Sequence, residues 1–216
     1  MLEFAWGAKI VDALVAKPLL AFALGYALGS IPWGLLLTKA AGAGDLRAIG
    51  SGNIGATNVL RTGRKGLAVA TMLLDIAKGA SAVALAAWLF PTAVQLAAIG
   101  AFLGHLAPVW LRFRGGKGVA TYFGIVLGFA LADGLGWPAP LAYAVAWVGI
   151  LGLTRYSSVG GLSAAAVAPV AAFVAGRLDL AILFLGFTLL IFWTHRANLA
   201  RLFSGTEPRV GAARHG

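Results

Sequence analysis

Long apolar stretches alternate with short polar ones along the chain, on a scale that suits a bilayer better than a soluble core. A helix crossing a hydrocarbon layer of about 30 Å needs roughly 20 mostly apolar residues. Seven stretches qualify: 19–41, 67–90, 92–113, 117–135, 138–153, 159–176 and 180–202. The fifth and sixth are short and rich in Ala and Gly, which blurs their ends. Turn signals separate neighbours at Phe90-Pro91 and at Gly136-Trp137-Pro138. Residues 1–18 mix Glu3, Lys9, Asp12 and Lys17 with Phe4, Trp6, Ile10 and Leu14, reading as an interfacial helix or an extension of the first span. The expected architecture is an all-α integral membrane protein: an interfacial segment (1–18), a seven-helix domain (19–203) and a polar tail (204–216). No repeat, low-complexity tract or second domain is signalled.

Composition sharpens this reading. With 60% hydrophobic and only 11% charged residues, a soluble surface could not be covered, and the mean hydropathy of +0.89 agrees. Thirty glycines and seven tryptophans suit close helix packing and interfacial anchoring. The N-terminal region lacks a clean secretory cleavage signal, Lys9 being its first lysine. Absence of cysteine excludes disulfides, thiolate catalysis and cysteine metal sites, and the residues call for no metal or other cofactor.

The net charge of +10 does not point to nucleic acid, because no basic helix or aromatic stacking platform accompanies it. It lies in the connections between spans, where basic residues set topology and meet lipid headgroups. Of the 17 lysines and arginines, one face collects Lys39, Arg47, Arg61, Arg64, Lys65, Arg112, Arg114, Lys117, Arg155, Arg196, Arg201, Arg209 and Arg214. The other holds Lys9, Lys17 and Arg177, and Lys78 falls within a span. The positive-inside rule then places the C-terminus in the cytoplasm and the N-terminus outside.

Three polar segments, two of them glycine-bearing, share that basic face, which points to one site for an anionic, phosphorylated ligand. The first runs Ser51-Gly52-Asn53-Ile54-Gly55-Ala56-Thr57-Asn58 within the longest connection, about residues 42–66. Its glycines free the backbone, Ser51, Asn53, Thr57 and Asn58 supply donors, and a short helix would set Asn58 and Arg61 on one side. The second, Arg114-Gly115-Gly116-Lys117-Gly118, opens a span, where free N–H groups and the helix dipole attract anions. It lacks P-loop spacing, and a tight turn flanked by topology charges is the equal alternative. His105 precedes it near the same interface, as a ligand contact or a packed, hydrogen-bonded residue. The third ends the last span: on a continuing helix His195, Asn198 and Arg201 bracket one face. His195 is a proton acceptor suited to neutral pH, or a cap, and Glu207 reads as a fixing residue for the tail. Within the second span, Asp75 and Lys78 are spaced for mutual neutralisation; alternatively Asp75 orients a basic residue while Lys78 reaches a phosphate. Asp133 lies apart from these, near the outer end of the fourth span.

Taken together, Ser51-Gly-Asn-Ile-Gly-Ala-Thr-Asn58-Val-Leu-Arg61, Asp75-Ile-Ala-Lys78-Gly79, Gly104-His105-Leu-Ala-Pro108 with Phe113-Arg-Gly-Gly-Lys-Gly-Val-Ala-Thr121, and His195-Arg-Ala-Asn198-Leu-Ala-Arg201 with Gly205-Thr-Glu207 resemble the bacterial acyl-phosphate-dependent glycerol-3-phosphate acyltransferases, the PlsY family. The resemblance covers about residues 20–208 with no motif position substituted, although the segment before residue 19 is longer than usual. It implies seven transmembrane helices in the bacterial cytoplasmic (inner) membrane and acyl transfer from acyl phosphate to the 1-hydroxyl of glycerol 3-phosphate. The products would be lysophosphatidic acid and inorganic phosphate, the first step of phospholipid synthesis. It further implies a functional link to the enzyme that makes acyl phosphate and to the next acyltransferase, with membrane lipids as surroundings. By motif position, residues 115–118 would bind glycerol 3-phosphate, and Ser51, Arg61, His195 and Asn198 would be needed for activity.

The His-x-x-x-x-Asp arrangement of other glycerolipid acyltransferases is missing, since Trp110 and Ala200 stand five residues after His105 and His195. Either His195 is the base or a substrate phosphate oxygen takes the hydroxyl proton, the second being favoured because no carboxylate is placed to orient His195. The rival reading, a small transporter or channel for a phosphorylated anion, requires polar residues along a path to the outer face, and spans four to six offer almost none. A membrane scaffold leaves the clustering of amides and glycines on one face unexplained.

Overall fold

The computed structural model describes residues 15–211, so most of the expected interfacial segment and the end of the tail lie outside the described residues. Regular structure among the described residues is helical. The chain forms two compact units, Met1–Asp133 and Gly134–Gly216, a division of which the hydropathy pattern gives no sign.

In the first unit, α1 (Lys17–Gly29) and α2 (Trp33–Ala40) are followed by the short α3 (Ala56–Leu60), then α4 (Lys65–Leu89), α5 (Val94–Leu106) and α6 (Val119–Ala132). Close approach of backbones holds them. Gly25 and Gly29 of α1 lie against Ala97 and Ala101 of α5, and Gly100 and Gly104 of α5 lie against Phe22 and Tyr26 of α1. A Cβ at any of the four would overlap backbone atoms, the small-residue logic of helices packing in lipid.

The first apolar stretch is broken, not continuous, at Ser30-Ile31-Pro32. Pro32 has no N–H to offer and disfavours helical backbone at Ile31, so the ladder stops there. Backbone carbonyls exposed within a bilayer need partners. Side chains supply them: Trp110 Nε1 donates to Ser30 O at 2.8 Å and Lys78 Nζ to Ile31 O at 2.9 Å.

The second unit contains α7 (Pro138–Thr154), α8 (Ser157–Val174), α9 (Leu178–Thr194) and α10 (Arg196–Phe203), with α8 packed on both α7 and α9. Pro169 lies inside α8 and leaves the Ala165 carbonyl without its helical donor. Thr188 of α9 takes that carbonyl at 2.7 Å, so the proline also ties two helices together. The last apolar stretch was expected as one helix over 180–202; instead α9 and α10 meet at His195 with a bend of 58°.

The seven apolar stretches thus all fall on helices. Lys17–Ala40, Lys65–Leu89, Val94–Leu111 and Ser157–Val174 are long and apolar enough to cross a membrane, the bent α9–α10 pair makes a fifth, and α6 and α7 are shorter apolar helices.

Candidate active site

In the first unit, the connection after α2 folds around its own apolar core of Leu46, Val59 and Ala68. Asn58, buried in α3, organises the polar segment. Its Nδ2 donates to Leu46 O and Ile49 O, each at 2.9 Å. Its Oδ1 accepts the Ser51 amide at 3.3 Å and an Arg61 guanidinium N–H at 3.2 Å. The short helix with Asn58 and Arg61 on one side is therefore formed, and Asn58 holds the loop with both ends of its amide. Gly50, at φ 57°, lets the chain pass against Asn58 Oδ1 and Arg61, where a side chain would collide with both. Asn53 Oδ1 accepts the Gly55 amide at 3.0 Å, shaping the entry to α3. Ser51 and Thr57 are exposed and Arg61 is half-buried, so this rigid loop presents a cation and hydroxyl groups at its surface.

The glycine segment is reached through a strained turn. After Val109–Leu111, Arg112 and Phe113 take φ 53° and 60°, values costly for residues with a Cβ. The chain then doubles back on the end of α5: Gly115 N donates to Leu106 O at 3.0 Å and Gly116 N to His105 O at 2.9 Å. A Cβ on Gly115 would overlap those carbonyls, one on Gly116 would overlap the His105 ring, and Gly118 sits at φ 89°. At Gly115 and Gly116 the residue type serves close approach: their amides turn inward onto α5 and do not form an outward anion nest. Lys117, between them and α6, is half-buried.

Beneath this segment lies a closed polar network. Lys78 Nζ is 2.8 Å from Asp75 Oδ1, so the pair spaced for neutralisation is made. His105 Nδ1 lies 3.8 Å from the same Asp75 oxygen and 3.0 Å from Thr121 Oγ1. Lys78 and His105 are each only 5% exposed, which sets both within the protein and not on its surface.

In the second unit, the buried Glu207 carboxylate gathers three donors. Oε1 accepts Asn198 Nδ2 at 2.6 Å and Ser158 Oγ at 2.7 Å, and Oε2 accepts Arg201 Nε at 2.7 Å. The tail around it is strapped down: Val210 N donates to Arg155 O at 2.8 Å, an Arg155 guanidinium N–H returns to Val210 O at 3.1 Å, and Arg209 lies over the Tyr156 ring. Burial alone would raise the Glu207 pKa, but the donors Asn198, Ser158 and Arg201 outweigh it and hold the carboxyl below the ordinary glutamate value. A depressed folded-state pKa adds stability at pH values above the unfolded one, and that stability is lost as pH falls through the folded value. Hydrogen-exchange protection of residues 204–211, relative to the intrinsic rate at each pH, is therefore expected to hold down to about pH 4.5 and to fall only below it; loss of protection already between pH 6 and 5 would contradict a donor-stabilised carboxylate.

His195 stands at the bend, 3% exposed, with Nδ1 2.8 Å from Ile191 O. A carbonyl only accepts, so Nδ1 carries a proton, and in the neutral ring the lone pair sits on Nε2. Because the helix bends here, His195 both closes α9 and caps α10, the helix that carries Asn198 and Arg201. Sequence reading missed Ser158, Arg155 and Thr121. Each is an unremarkable residue at the edge of an apolar stretch, and its partner is recognisable only once the chain has folded.

Residues 19–205 match the family model described as glycerol-3-phosphate acyltransferase. The chain belongs to the glycerol-3-phosphate acyltransferase family. Relatives bearing that name include one from Mesorhizobium japonicum, 54% identical over 194 residues covering 90% of this chain and 96% of that protein. Another, from Rhodopseudomonas palustris (strain BisB5), is 57% identical over 192 residues, covering 88% and 95%. Among solved structures, this acyltransferase resembles the crystal structure of PlsY, an integral membrane glycerol 3-phosphate acyltransferase, in its glycerol 3-phosphate form. The TM-score is 0.81 at 36% identity over 90% of this chain and 96% of that one. The lysophosphatidic acid form of PlsY gives 0.79 at 34% identity over 90% and 95%.

Proposed function

We propose that this acyltransferase moves a fatty acyl group from acyl phosphate to the 1-hydroxyl of glycerol 3-phosphate. The observation that carries the reading is the Asn58-centred loop, which fixes Arg61 beside Ser51 on a chain whose residues 19–205 match the family. A guanidinium with adjacent hydroxyl and amide groups suits a phosphate, and both substrates carry one. In the reaction the hydroxyl oxygen bonds to the acyl carbon, the bond from that carbon to the phosphate oxygen breaks, and the hydroxyl proton leaves on the phosphate. The products are lysophosphatidic acid and inorganic phosphate.

Ser51, Arg61, His195 and Asn198 are the residues on which activity depends. Asn53 and Asn58 act by shaping the loop, Thr57 and Lys117 by meeting phosphate, and Asp75 and Glu207 by holding Lys78 and Asn198 in place. Arg201 shares the Glu207 carboxylate, which supports a place beside Asn198. Seven spans, with the N-terminus outside and the C-terminus in the cytoplasm of a bacterial inner membrane, are supported by the seven apolar helical stretches and by the one-sided distribution of lysine and arginine. The acyl chain then enters from the lipid and glycerol 3-phosphate from the cytosol.

Phosphate release from purified, detergent-solubilised protein given palmitoyl phosphate tests the reading. Release is expected to require glycerol 3-phosphate and to match lysophosphatidic acid formation; no release, together with phosphate movement across reconstituted vesicles, would favour a transporter. Lys117→Ala is expected to raise the KM for glycerol 3-phosphate about tenfold or more, the effect of losing one charged contact, with little change in yield. An unchanged KM would sink the assignment of Lys117.

A further inference from the structure

We propose that Thr121 is a positioning residue for the glycerol-3-phosphate loop and that it acts through the His105 ring. The inference rests on the reading of residues 115–118 as the segment that meets glycerol 3-phosphate. Thr121 lies in the first turn of α6, fully buried, and its hydroxyl departs from the habit of Thr38, Thr71 and Thr154. Thr188 also reaches the neighbouring helix, but Thr38, Thr71 and Thr154 each donate within their own helix, to the carbonyl four residues back. Such a bond is local and leaves no mark on a neighbouring element. The Thr121 hydroxyl instead reaches across to His105 Nδ1 on α5, at 3.0 Å.

What it grips there is the support of the loop. His105 holds the segment in two ways: its backbone carbonyl accepts the Gly116 amide, and the Nε2 edge of its ring lies so close to Gly116 that a Cβ would overlap it. The ring is thus enclosed between Thr121 on one edge and Gly116 on the other. An imidazole pivots about its terminal torsion with little intrinsic preference, so a buried ring needs a polar partner to set its angle. Thr121 supplies that partner, with Asp75 Oδ1 farther off at 3.8 Å from the same nitrogen. A ring released from Thr121 turns its Nε2 edge against Gly116, and the residue displaced next is Lys117.

The deciding variants separate hydroxyl from shape. Thr121→Val keeps the branched side chain and removes the hydroxyl; Thr121→Ser keeps the hydroxyl and removes a buried methyl. Steady-state constants for both substrates and melting temperatures are measured on the full-length protein in detergent. Thr121→Val is expected to raise the KM for glycerol 3-phosphate about tenfold, to leave the KM for acyl phosphate within about twofold, and Thr121→Ser to stay near the parent. A packing role would make Thr121→Ser the more harmful change, or move both KM values together, and either result overturns the proposal. So does a folded Thr121→Val protein with the parental KM for glycerol 3-phosphate. Thr121→Ala provides a second hydroxyl deletion without bulk; if neither deletion accumulates while Thr121→Ser does, the hydroxyl serves folding and the proposal fails. Lys117→Ala run alongside keeps the two claims apart. A parental KM there refutes the reading of the loop itself, whereas a raised KM in Lys117→Ala with a parental one in Thr121→Val refutes only the role of Thr121.

Discussion

Replacing Asp75 by alanine is expected to remove most of the recoverable folded protein, and replacing Asp75 and Lys78 together by leucine and methionine is expected to restore it. The two charges sit 2.8 Å apart on successive turns of α4, with side chains 5% and 3% exposed. Lys78 also donates to Ile31 O. A neutral carbonyl does not balance an ammonium ion deprived of its carboxylate. Removing one partner of a buried pair costs about 3–5 kcal/mol, while replacing both by apolar groups of similar volume is often neutral. Against a total stability of about 5–15 kcal/mol, the single change takes a large share. The double change also leaves Ile31 O without its lysine donor, so a residual loss of about 1 kcal/mol is expected. Yield of monodisperse protein and melting temperature in detergent provide the check. A double variant less stable than Asp75→Ala would show that the pair contributes more than mutual neutralisation.

The same pair shows which features were legible in the sequence. Asp75 and Lys78 are three residues apart, so helix geometry alone brings them together, and the same holds for Asn58 and Arg61. Apolar stretches of about 20 residues were equally readable, because the bilayer imposes their length. Hydropathy averaged over such a length hides local breaks, however. Pro32 interrupts the first stretch, yet the residues on either side stay apolar and the average hardly falls; after His195 the chain does turn polar, but an average over such a length blurs where the last helix bends. The contacts that shape the candidate site join residues far apart in the chain: Ser158 to Glu207 across 49 positions, and His105 to Thr121 across 16. No periodicity links such pairs, and a serine, threonine or histidine at the edge of a span looks the same whether or not it has a partner. The glycines of residues 115–118 were legible as a special backbone, with an anion nest and a tight turn as equal alternatives: packing against His105 and Leu106, as a tight turn requires, explains Gly115 and Gly116.

The second large effect concerns His195. His195→Asn is expected to lower turnover by less than about a hundredfold, below or at the bottom of the range for loss of a general base. The asparagine amide can still donate toward Ile191 O, as Nδ1 does at 2.8 Å, so the substitution removes Nε2 while sparing the bend between α9 and α10. Proton balance explains why so little is at stake. Acyl phosphate departing without a proton would leave as a trianion, so the leaving phosphate becomes a strong base as its bond to the acyl carbon breaks. The attacking hydroxyl has to lose a proton at the same moment, and transfer to the phosphate meets both demands with no stored charge on the protein. His195 is also held by a backbone carbonyl, while the Glu207 carboxylate is engaged by Ser158, Asn198 and Arg201. That arrangement suits a neutral imidazole whose Nε2 lone pair accepts from a substrate hydroxyl or a water and orients it better than one that must bear a full positive charge. Under this account the pH dependence of kcat keeps its shape in His195→Asn, since the titrating group belongs to the substrate. A loss of a thousandfold or more with unchanged melting temperature, together with disappearance of the limb of the pH profile near neutrality, would make His195 the base.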